Sequence, residues 1–279
     1  MESIGAAKFL SPEATIKAAR LVRRGKVYSL GQLLSTDILQ LDDNRTIAHG
    51  RRFKVSRLAQ VRPGSGSLSE SVEFPTHTGT HIDAVGHWYK DDHVFGGKSV
   101  QEVWTSTEGL STLGLEHCPP LVTRGVMLDV ATYRGVEMLE SGVEIHSDEL
   151  GKVASQSGVT VQAGDVVLIR TGWCKLWDRR DLRYINEEPG LGGEGVTWLA
   201  DQGVVAIGAD NWAIDVIPHS QPRARPVHEI CLAERGIYLI ENLNLEALAE
   251  ERIYEFLFVA LPPRLKGGTA FPIEPIAVV

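Results

Sequence analysis

The run His77-Thr78-Gly79-Thr80-His81-Ile82-Asp83 constrains the backbone of this chain more tightly than any other segment. In an α-helix, position 83 lies about 240° around the axis from position 77, so the three polar side chains cannot converge. In a strand, these side chains share a face, but the Cα atoms of residues 77 and 81 lie roughly 13 Å apart. A chain that brings them together must therefore bend, and Gly79 is the residue that permits the bend.

The same run contains the residue types of a metal site. Three of the nine histidines, His77, His81 and His87, fall within eleven residues, and Asp83 lies among them. Imidazole nitrogens and a carboxylate together suit Zn²⁺, Mn²⁺ or Fe²⁺. A single histidine is more often an ordinary core or surface residue, but three at this spacing, with an aspartate and two glycines, predict a metal centre. His87 follows Gly86 and could return to this centre as a proton-transfer group rather than as a ligand.

Composition and charge limit the classes of partner. The chain has 279 residues, of which 43% are hydrophobic and 23% charged, as in an ordinary globular protein. A formal net charge of −8 disfavours nucleic acid, because phosphate binding requires a basic surface. No apolar run reaches the roughly 20 residues that cross a bilayer, so no membrane partner is expected. Three cysteines far apart in sequence and the lack of a secretory pattern at the N-terminus predict a cytoplasmic protein.

The order of predicted elements indicates a mixed α/β chain with a substantial sheet. Ser11, Pro12 and Glu13 begin a helix that we expect to cover about residues 12–24. Strands are predicted at 26–30, 53–62, 71–76, 125–130, 164–170, 204–208, 236–240 and 255–260. Further helices are predicted at about 147–157, 194–202 and 226–235. No repeat or linker divides the chain, which predicts a single domain over residues 1–279.

The metal motif and three later segments resemble the metal-dependent cyclase family. The pattern His77-x-Gly-Thr-His81-x-Asp83-x-x-x-His87 is similar to the signature of that family. The family includes bacterial kynurenine formamidase, isatin hydrolase and a trans-dienelactone hydrolase. The later segments are similar to its central strand and turn, its late histidine helix with the strand that follows, and its closing loop; they lie at 167–173, 228–243 and 262–272.

The resemblance implies a fold, a metal and its ligands. The fold is a swivelling β/β/α arrangement, in which helices flank a curved β core. His77, His81 and Asp83 would bind a divalent metal, Mn²⁺ or Zn²⁺. Family members are usually homodimers or homotetramers, so the same is expected here.

The resemblance also implies the residues that move protons. His87 would be an acid or a base, and His228 would be either a second proton-transfer residue or a ligand of a second ion together with Glu241. Val85 stands where formamidase-like members have proline, and the interval from His228 to Glu241 is one residue longer than in the dinuclear members. Both departures favour the mononuclear, isatin-hydrolase-like branch.

Aromatic residues near the motif and at predicted strand ends suit a flat substrate, because ligand pockets are mostly apolar with a few polar groups. No serine lies in a G-x-S-x-G context, which disfavours a serine nucleophile. The candidate pocket residues directly follow the motif or lie at predicted strand ends: Trp88, Tyr89, Trp173, Asp210 and Trp212.

The sequence predicts a metal-dependent hydrolase that opens a small cyclic amide or lactone with metal-activated water. An ion with three protein ligands keeps open positions, lowers the pKa of a bound water and polarises a carbonyl oxygen. Its substrate is expected to be a small aromatic or cyclic molecule. Three alternatives stay open: an aryl-formamidase acting on N-formylkynurenine-like amides, a non-catalytic metal-bearing binding protein, and a cyclase or lyase.

Overall fold

A nine-stranded mixed sheet forms the centre of the structure, a computed structural model that describes residues 2–39, 53–60, 63–218 and 225–279. The strands are β1 (Val27–Ser29), β2 (Lys54–Gln60), β3 (Ser67–Glu73), β4 (His81–Asp83), β5 (Trp104–Thr105), β6 (Gly109–Leu110), β7 (Leu121–Asp129), β8 (Glu144–Ile145), β9 (Val166–Arg170), β10 (Gly190–Leu191), β11 (Ala206–Ala209), β12 (Tyr238–Glu241), β13 (Glu255–Ala260), β14 (Ala270–Pro272) and β15 (Ile276–Val278). The sheet curls into a half-barrel with helices beside it, which confirms the predicted fold class.

The helices are α1 (Pro12–Ala19), α2 (Val100–Val103), α3 (Val130–Tyr133), α4 (Ser147–Gln156), α5 (Lys175–Asp178), α6 (Arg183–Asn186), α7 (Gly193–Asp201), α8 (Pro226–His228) and α9 (Glu246–Glu250). Helix α8 continues as a π-helical segment, Glu229–Arg235. Short 3₁₀ segments cover Glu2–Phe9, Val85–His87 and Leu115–His117. Within the described part of the chain, none of the helices has both the length and the apolar composition that crossing a membrane requires.

The order of strands in the large sheet is β1-β15-β13-β7-β9-β11-β12-β4-β14. Its four central strands, β7, β9, β11 and β12, run parallel to one another. The strands on either side pair in antiparallel fashion. Because parallel strands present their carboxyl ends at the same edge, this arrangement gathers Asp129, Arg170, Asp210 and Glu241 at one edge of the sheet.

Both faces of the central sheet are buried, as the nearly continuous apolar runs of its strands predict. Along β7, Leu121 and Met127 enter one hydrophobic cluster, whereas Val126 and Leu128 enter a cluster on the other face. Apolar residues of α4, α7 and α8 complete the second cluster. The sheet is therefore a rigid platform for the residues at its polar edge.

Several element boundaries differ from the predicted ones; the strand predicted at 125–130, for example, is Leu121–Asp129. Helix α1 ends at Ala19 rather than near residue 24, because the amides of Leu21 and Val22 bond to carbonyls three residues back, which tightens the last turn. Strand β3 covers Ser67–Glu73 rather than 71–76, because its register with β2 sets both of its ends. The strand predicted at 53–62 is β2, and residues 61–62 lie outside the described residues.

Candidate metal centre

The register between β4 and β12 brings a carboxylate from a distant part of the chain to the histidine motif. His81 lies directly opposite Glu241, and Asp83 lies opposite Leu239. His81 and Asp83 occupy alternate positions of β4 and share one face, and directly opposed side chains in an antiparallel pair lie about 4.5–5.5 Å apart. Local strand geometry therefore places His81, Asp83 and Glu241 together.

Gly79 bends the chain between the two histidines. Its φ of 61° lies in the left-handed region, which suits glycine, and β4 begins two residues later at His81. A β-carbon at this position would also collide with the side chain of Leu34. Beyond the bend, His77 Nδ1 lies 2.9 Å from Asp83 Oδ1. The bend brings into one cluster two histidines that a straight strand would hold apart.

Two histidines from different elements complete a compact group around the two carboxylates. His81 Nε2 lies 3.2 Å from Glu241 Oε2 and 3.5 Å from Asp83 Oδ1. His228, at the end of α8, has its Nε2 atom 3.3 Å from Glu241 Oε1 and 3.9 Å from Asp83 Oδ2. The ring centroid of His87 lies 4.2 Å from that of His77. The structure thus brings together all six residues for which the sequence predicted a metal or proton-transfer role.

The residues at this centre fit a divalent cation. His81 Nε2, both carboxylate oxygens of Asp83 and Glu241 Oε1 are buried and have no hydrogen-bond partner among the described residues. Burying such atoms without a partner costs free energy, so a native structure compensates for them. Ligands placed about 2.0–2.2 Å from one ion lie roughly 3.0–3.5 Å from one another. The separations of 3.2 and 3.5 Å around His81 Nε2 agree with that geometry.

Two groups of candidate ligands share Asp83. One consists of His81, Asp83 and Glu241, and the other of His77, Asp83 and His87, with the ligand atoms of each group within 4.8 Å of one another. The predicted set of His77, His81 and Asp83 spans both groups. Glu241 belongs to the first group and His87 to the second.

A third group of candidate ligands, Cys174, Asp210 and Glu246, has other partners. Both oxygens of Asp210 accept hydrogen bonds, from Thr171 and from the amide of Gly172, at 2.6–2.8 Å. Glu246 pairs with Arg170 at 2.7 Å. Salt bridges and hydrogen bonds within the protein therefore account for this group.

Partners outside the centre orient the histidines within it. His81 Nδ1 lies 2.8 Å from the carbonyl oxygen of Gly79, and His228 Nδ1 lies 2.7 Å from Asp215 Oδ2. Each acceptor favours a proton on Nδ1 and leaves Nε2 directed at the centre. His77 has the reverse arrangement, because its Nε2 contacts Thr269 Oγ1 at 3.2 Å and its Nδ1 faces Asp83.

Asp215 and Thr269 were not predicted from the sequence. Neither belongs to a motif, and each joins the centre only through a contact between distant segments. The one signal for Asp215 is a charged residue within the apolar run Ile214-Asp215-Val216-Ile217, which indicates a buried and therefore partnered carboxylate.

The carboxylates hold protons on two of the histidines. Burial lowers the pKa of His81, but the nearby Asp83 and Glu241 outweigh this effect and raise the pKa to about 10. The pKa of His228 is also about 10, because Asp215 and Glu241 outweigh its burial. In return, His228 and His81 outweigh the burial of Glu241 and lower its pKa to about 2. Without a metal, these protons balance the buried negative charge.

The pKa of His87 is shifted in the opposite direction to those of His81 and His228. Burial and the neighbouring His77 lower the pKa of His87 to about 3, so its imidazole is neutral at pH 7. Burial would raise the pKa of Asp83, but the contacts with His77 and His81 hold it well below its usual range. The centre therefore contains a neutral imidazole beside two protonated ones.

Metal binding is expected to release one proton, from His81. A metal ligand must be deprotonated, and His81 holds its proton at neutral pH because its pKa is about 10. The affinity for Mn²⁺ should therefore rise about tenfold for each pH unit between pH 7 and 9, and fall correspondingly as the pH decreases. Calorimetry in two buffers of different ionisation enthalpy counts the protons released. Release of two protons would show that His228 also becomes a ligand, and release of none would contradict the raised pKa of His81.

A cavity of about 460 Å³ opens beside His87. Trp88 and Tyr89, two of the predicted pocket residues, lie in its wall, and the ring centroid of Trp88 is 5.0 Å from that of His228. An aromatic surface therefore adjoins the candidate centre. The complete lining is His87, Trp88, Tyr89, Lys90, Asp91 and Glu229.

The other three predicted pocket residues have different surroundings. Trp173 is only 2% exposed and packs with Trp177 and Tyr184 in a separate cluster. Trp212 is half-buried against the same cluster. Asp210 is fully buried, and its two oxygens are occupied by residues at the end of β9. None of the three residues lines the cavity beside His87.

The curled mixed sheet and the histidine–carboxylate group at its edge define an α/β protein with a candidate metal centre. The family model named Cyclase matches residues 14–216, so the chain belongs to the cyclase family. This result confirms the predicted family.

Individual relatives agree with this assignment. Cyclase-like protein 3 of Oryza sativa subsp. japonica is 27% identical over 231 residues, which cover 79% of this chain and 69% of the relative. A solved structure described as a novel cyclase has a TM-score of 0.86 and 26% identity, and covers 99% of this chain and 96% of that one. Isatin hydrolase A from Ralstonia solanacearum has a TM-score of 0.69 and 24% identity, and covers 97% of this chain and 98% of its own.

Proposed function

We propose that this chain is a metal-dependent hydrolase that opens a small cyclic amide or lactone, as isatin hydrolase does. The observation that carries the proposal is the set of buried atoms without partners at His81, Asp83 and Glu241, which fits a divalent ion. The aromatic wall of the cavity beside His87 favours a flat, cyclic substrate. The isatin hydrolases among the structural neighbours share the fold and support this substrate class.

In this proposal, His77, His81 and Asp83 hold Mn²⁺ or Zn²⁺. Glu241 lies close enough to His81 to join them, at 3.2 Å. A divalent ion at this position supplies Lewis-acid polarisation of a carbonyl oxygen and lowers the pKa of a coordinated water. The protein contributes a buried, preorganised set of ligands and the groups that move protons.

His87 and His228 divide the proton transfers between them. His87, whose pKa is lowered to about 3, is neutral and can accept a proton from the attacking water. His228, whose pKa is raised to about 10, holds a proton that its Nε2 atom can donate to the leaving nitrogen or oxygen. Environments that separate two pKa values in this way are typical of an acid and base pair. The C–N or C–O bond of the ring breaks, and the product carries a carboxylate.

A second candidate is an aryl-formamidase with two metal ions. The observation that favours it is the pair of candidate ligand groups that share Asp83. A shared carboxylate and a separation of about 3.5–4 Å are typical of two-metal hydrolytic sites. In this case His228, whose Nε2 atom lies 3.3 Å from Glu241 Oε1 although it belongs to neither group, would bind the second ion with Glu241 and would not transfer protons.

Metal content and substrate preference test both candidates. Elemental analysis of the purified protein should give one metal per chain for the first candidate and two for the second. Isatin, N-formylkynurenine and a dienelactone each change their ultraviolet absorbance when the ring or amide is cleaved. Opening of isatin or the lactone supports the first candidate, and deformylation supports the second. A protein that binds metal but cleaves none of the three would contradict both and favour a binding protein.

A further inference from the structure

We propose that Asp215 is a positioning residue, which holds a proton on Nδ1 of His228 so that Nε2 is the nitrogen presented to the metal centre. This role rests on the proposed function, in which His228 is one of the two proton-transfer residues, because it explains how His228 is oriented. Asp215 itself lies behind His228, on the Nδ1 side of its ring, and does not line the cavity.

The contacts of Asp215 define its role. Its Oδ2 atom lies 2.7 Å from His228 Nδ1, and its Oδ1 atom accepts a hydrogen bond of 2.9 Å from the amide of Val227. The side chain is fully buried, and His228 is 5% exposed. An ionised carboxylate only accepts hydrogen bonds, so the nitrogen that faces it must carry a proton. The opposite nitrogen, Nε2, then faces Glu241 Oε1 at 3.3 Å.

Buried hydrogen bonds hold the loop before Asp215 in place. Glu188, itself fully buried, accepts hydrogen bonds from the amides of Trp212 and Ala213 at 2.6 and 3.0 Å. Asn211 Oδ1 accepts one from the amide of Ile214 at 3.1 Å. Ile214 has a φ of 62°, which is a strained conformation for a β-branched residue. Such strain persists only where the surrounding structure determines the conformation.

Strand β10 supports the same loop from the other side. The amide of Leu191 donates to the carbonyl of Ile214 at 2.9 Å. A β-carbon at Gly190 would collide with the backbone of Ile214 and Asp215, so only glycine permits this close approach. The residues on both sides of the loop therefore act to place one buried carboxylate behind His228.

An asparagine at position 215 cannot satisfy both neighbours. If its carbonyl oxygen accepts from Val227, its NH₂ group faces His228 Nδ1 and donates to it, so Nδ1 cannot carry a proton and the ring is neutral, with its one proton on Nε2. If its carbonyl oxygen faces His228, its NH₂ group meets the amide N–H of Val227, and two donors then face each other. The first arrangement keeps every hydrogen bond, so Asp215→Asn is expected to remove the Nδ1 proton of His228. The neutral ring that remains is a far weaker proton donor than the doubly protonated ring of the wild type. Asp215→Ala removes the acceptor without introducing a donor.

The test compares these two variants in the Zn²⁺-loaded protein labelled with ¹⁵N-histidine. NMR correlation of the ring nitrogens should show a proton on Nδ1 of His228 in the wild type, and a deprotonated Nδ1 in Asp215→Asn. With isatin as the probe substrate, kcat is expected to fall about 100-fold or more in Asp215→Asn and about tenfold in Asp215→Ala. If the role of Asp215 were merely structural, kcat would fall further in Asp215→Ala than in Asp215→Asn, because alanine leaves a cavity and loses two hydrogen bonds. Metal content and KM should change little in either variant.

Asp165→Asn is the matched control. Asp165 is buried and hydrogen-bonded to Arg124 at the amino end of β9, so it reports the cost of the same chemical change away from His228. The Asp165→Asn variant should leave both kcat and the proton on Nδ1 of His228 unchanged. A deprotonated Nδ1 in the wild type, or an alanine variant slower than the asparagine variant, would overturn the proposal. If isatin is not cleaved at all, the proposed function fails, and the NMR result still decides the role of Asp215.

Discussion

Asp83→Asn is expected to abolish both metal binding and turnover. Asp83 belongs to both candidate ligand groups, and its two oxygens are buried without hydrogen-bond partners. Asparagine has nearly the same shape but lacks the negative charge, so it leaves the fold intact and weakens the attraction for a divalent cation. Since the proposed chemistry depends on that cation, turnover should fall by more than about 1,000-fold.

Elemental analysis, thermal unfolding and kinetics together check this expectation. In the wild type, Mn²⁺ at 100 times its dissociation constant should stabilise the folded protein by about 2.7 kcal/mol, whereas the variant should gain nothing. Asp165→Asn again controls for the loss of a buried carboxylate, because Asp165 pairs with Arg124 far from the centre. An Asp83→Asn protein that kept its metal and its full turnover would refute the assignment of the centre.

The sequence could predict those parts of the centre that lie close together along the chain. The spacing of His77, His81 and Asp83 excludes a helix and requires a bend, and the structure has a left-handed residue at Gly79. The buried parallel strands were also predicted, because strands that are covered on both faces have nearly continuous apolar runs.

Spacing along the chain could not predict features that depend on strand register. Glu241 was predicted only through the resemblance to the cyclase family. Glu241 is drawn into the centre because it lies opposite His81 when β12 pairs with β4, and 160 residues separate the two in the chain. A shift by one residue would turn Glu241 to the other face, and no local pattern fixes that register. For the same reason Asp215 was missed, since its contact with His228 depends on how a loop packs against β10.

The aromatic residues show a related limit of sequence reasoning. In the sequence, Trp88 directly follows the metal motif and Trp173 lies at the end of a predicted strand. Both positions are therefore equally suited to a pocket. In the structure, Trp88 lines the cavity beside His87, whereas Trp173 is buried with Trp177 and Tyr184. Large aromatic side chains serve both purposes, and only the packing of the surrounding elements separates them.

His87→Ala is expected to reduce kcat by about 10²- to 10⁴-fold, which is the usual contribution of a general acid or base. Three observations support the proposal that His87 takes part in the reaction. It lines the cavity, it contacts the ring of His77, and its pKa is lowered to about 3, so it is neutral and ready to accept a proton. Because three other side chains remain to hold the ion, the metal content should stay at one per chain.

The measurement is kcat and metal content in parallel, with His146→Ala as the control. His146 precedes α4, its side chain caps no backbone group, and it is 51% exposed, so its loss should change neither quantity. If His87→Ala lost the metal together with activity, His87 would be a ligand of the group that it forms with His77 and Asp83. That outcome would move the general base to another residue and would favour the two-metal formamidase over the ring-opening hydrolase. Retention of metal with full activity would show that His87 takes no part in the reaction.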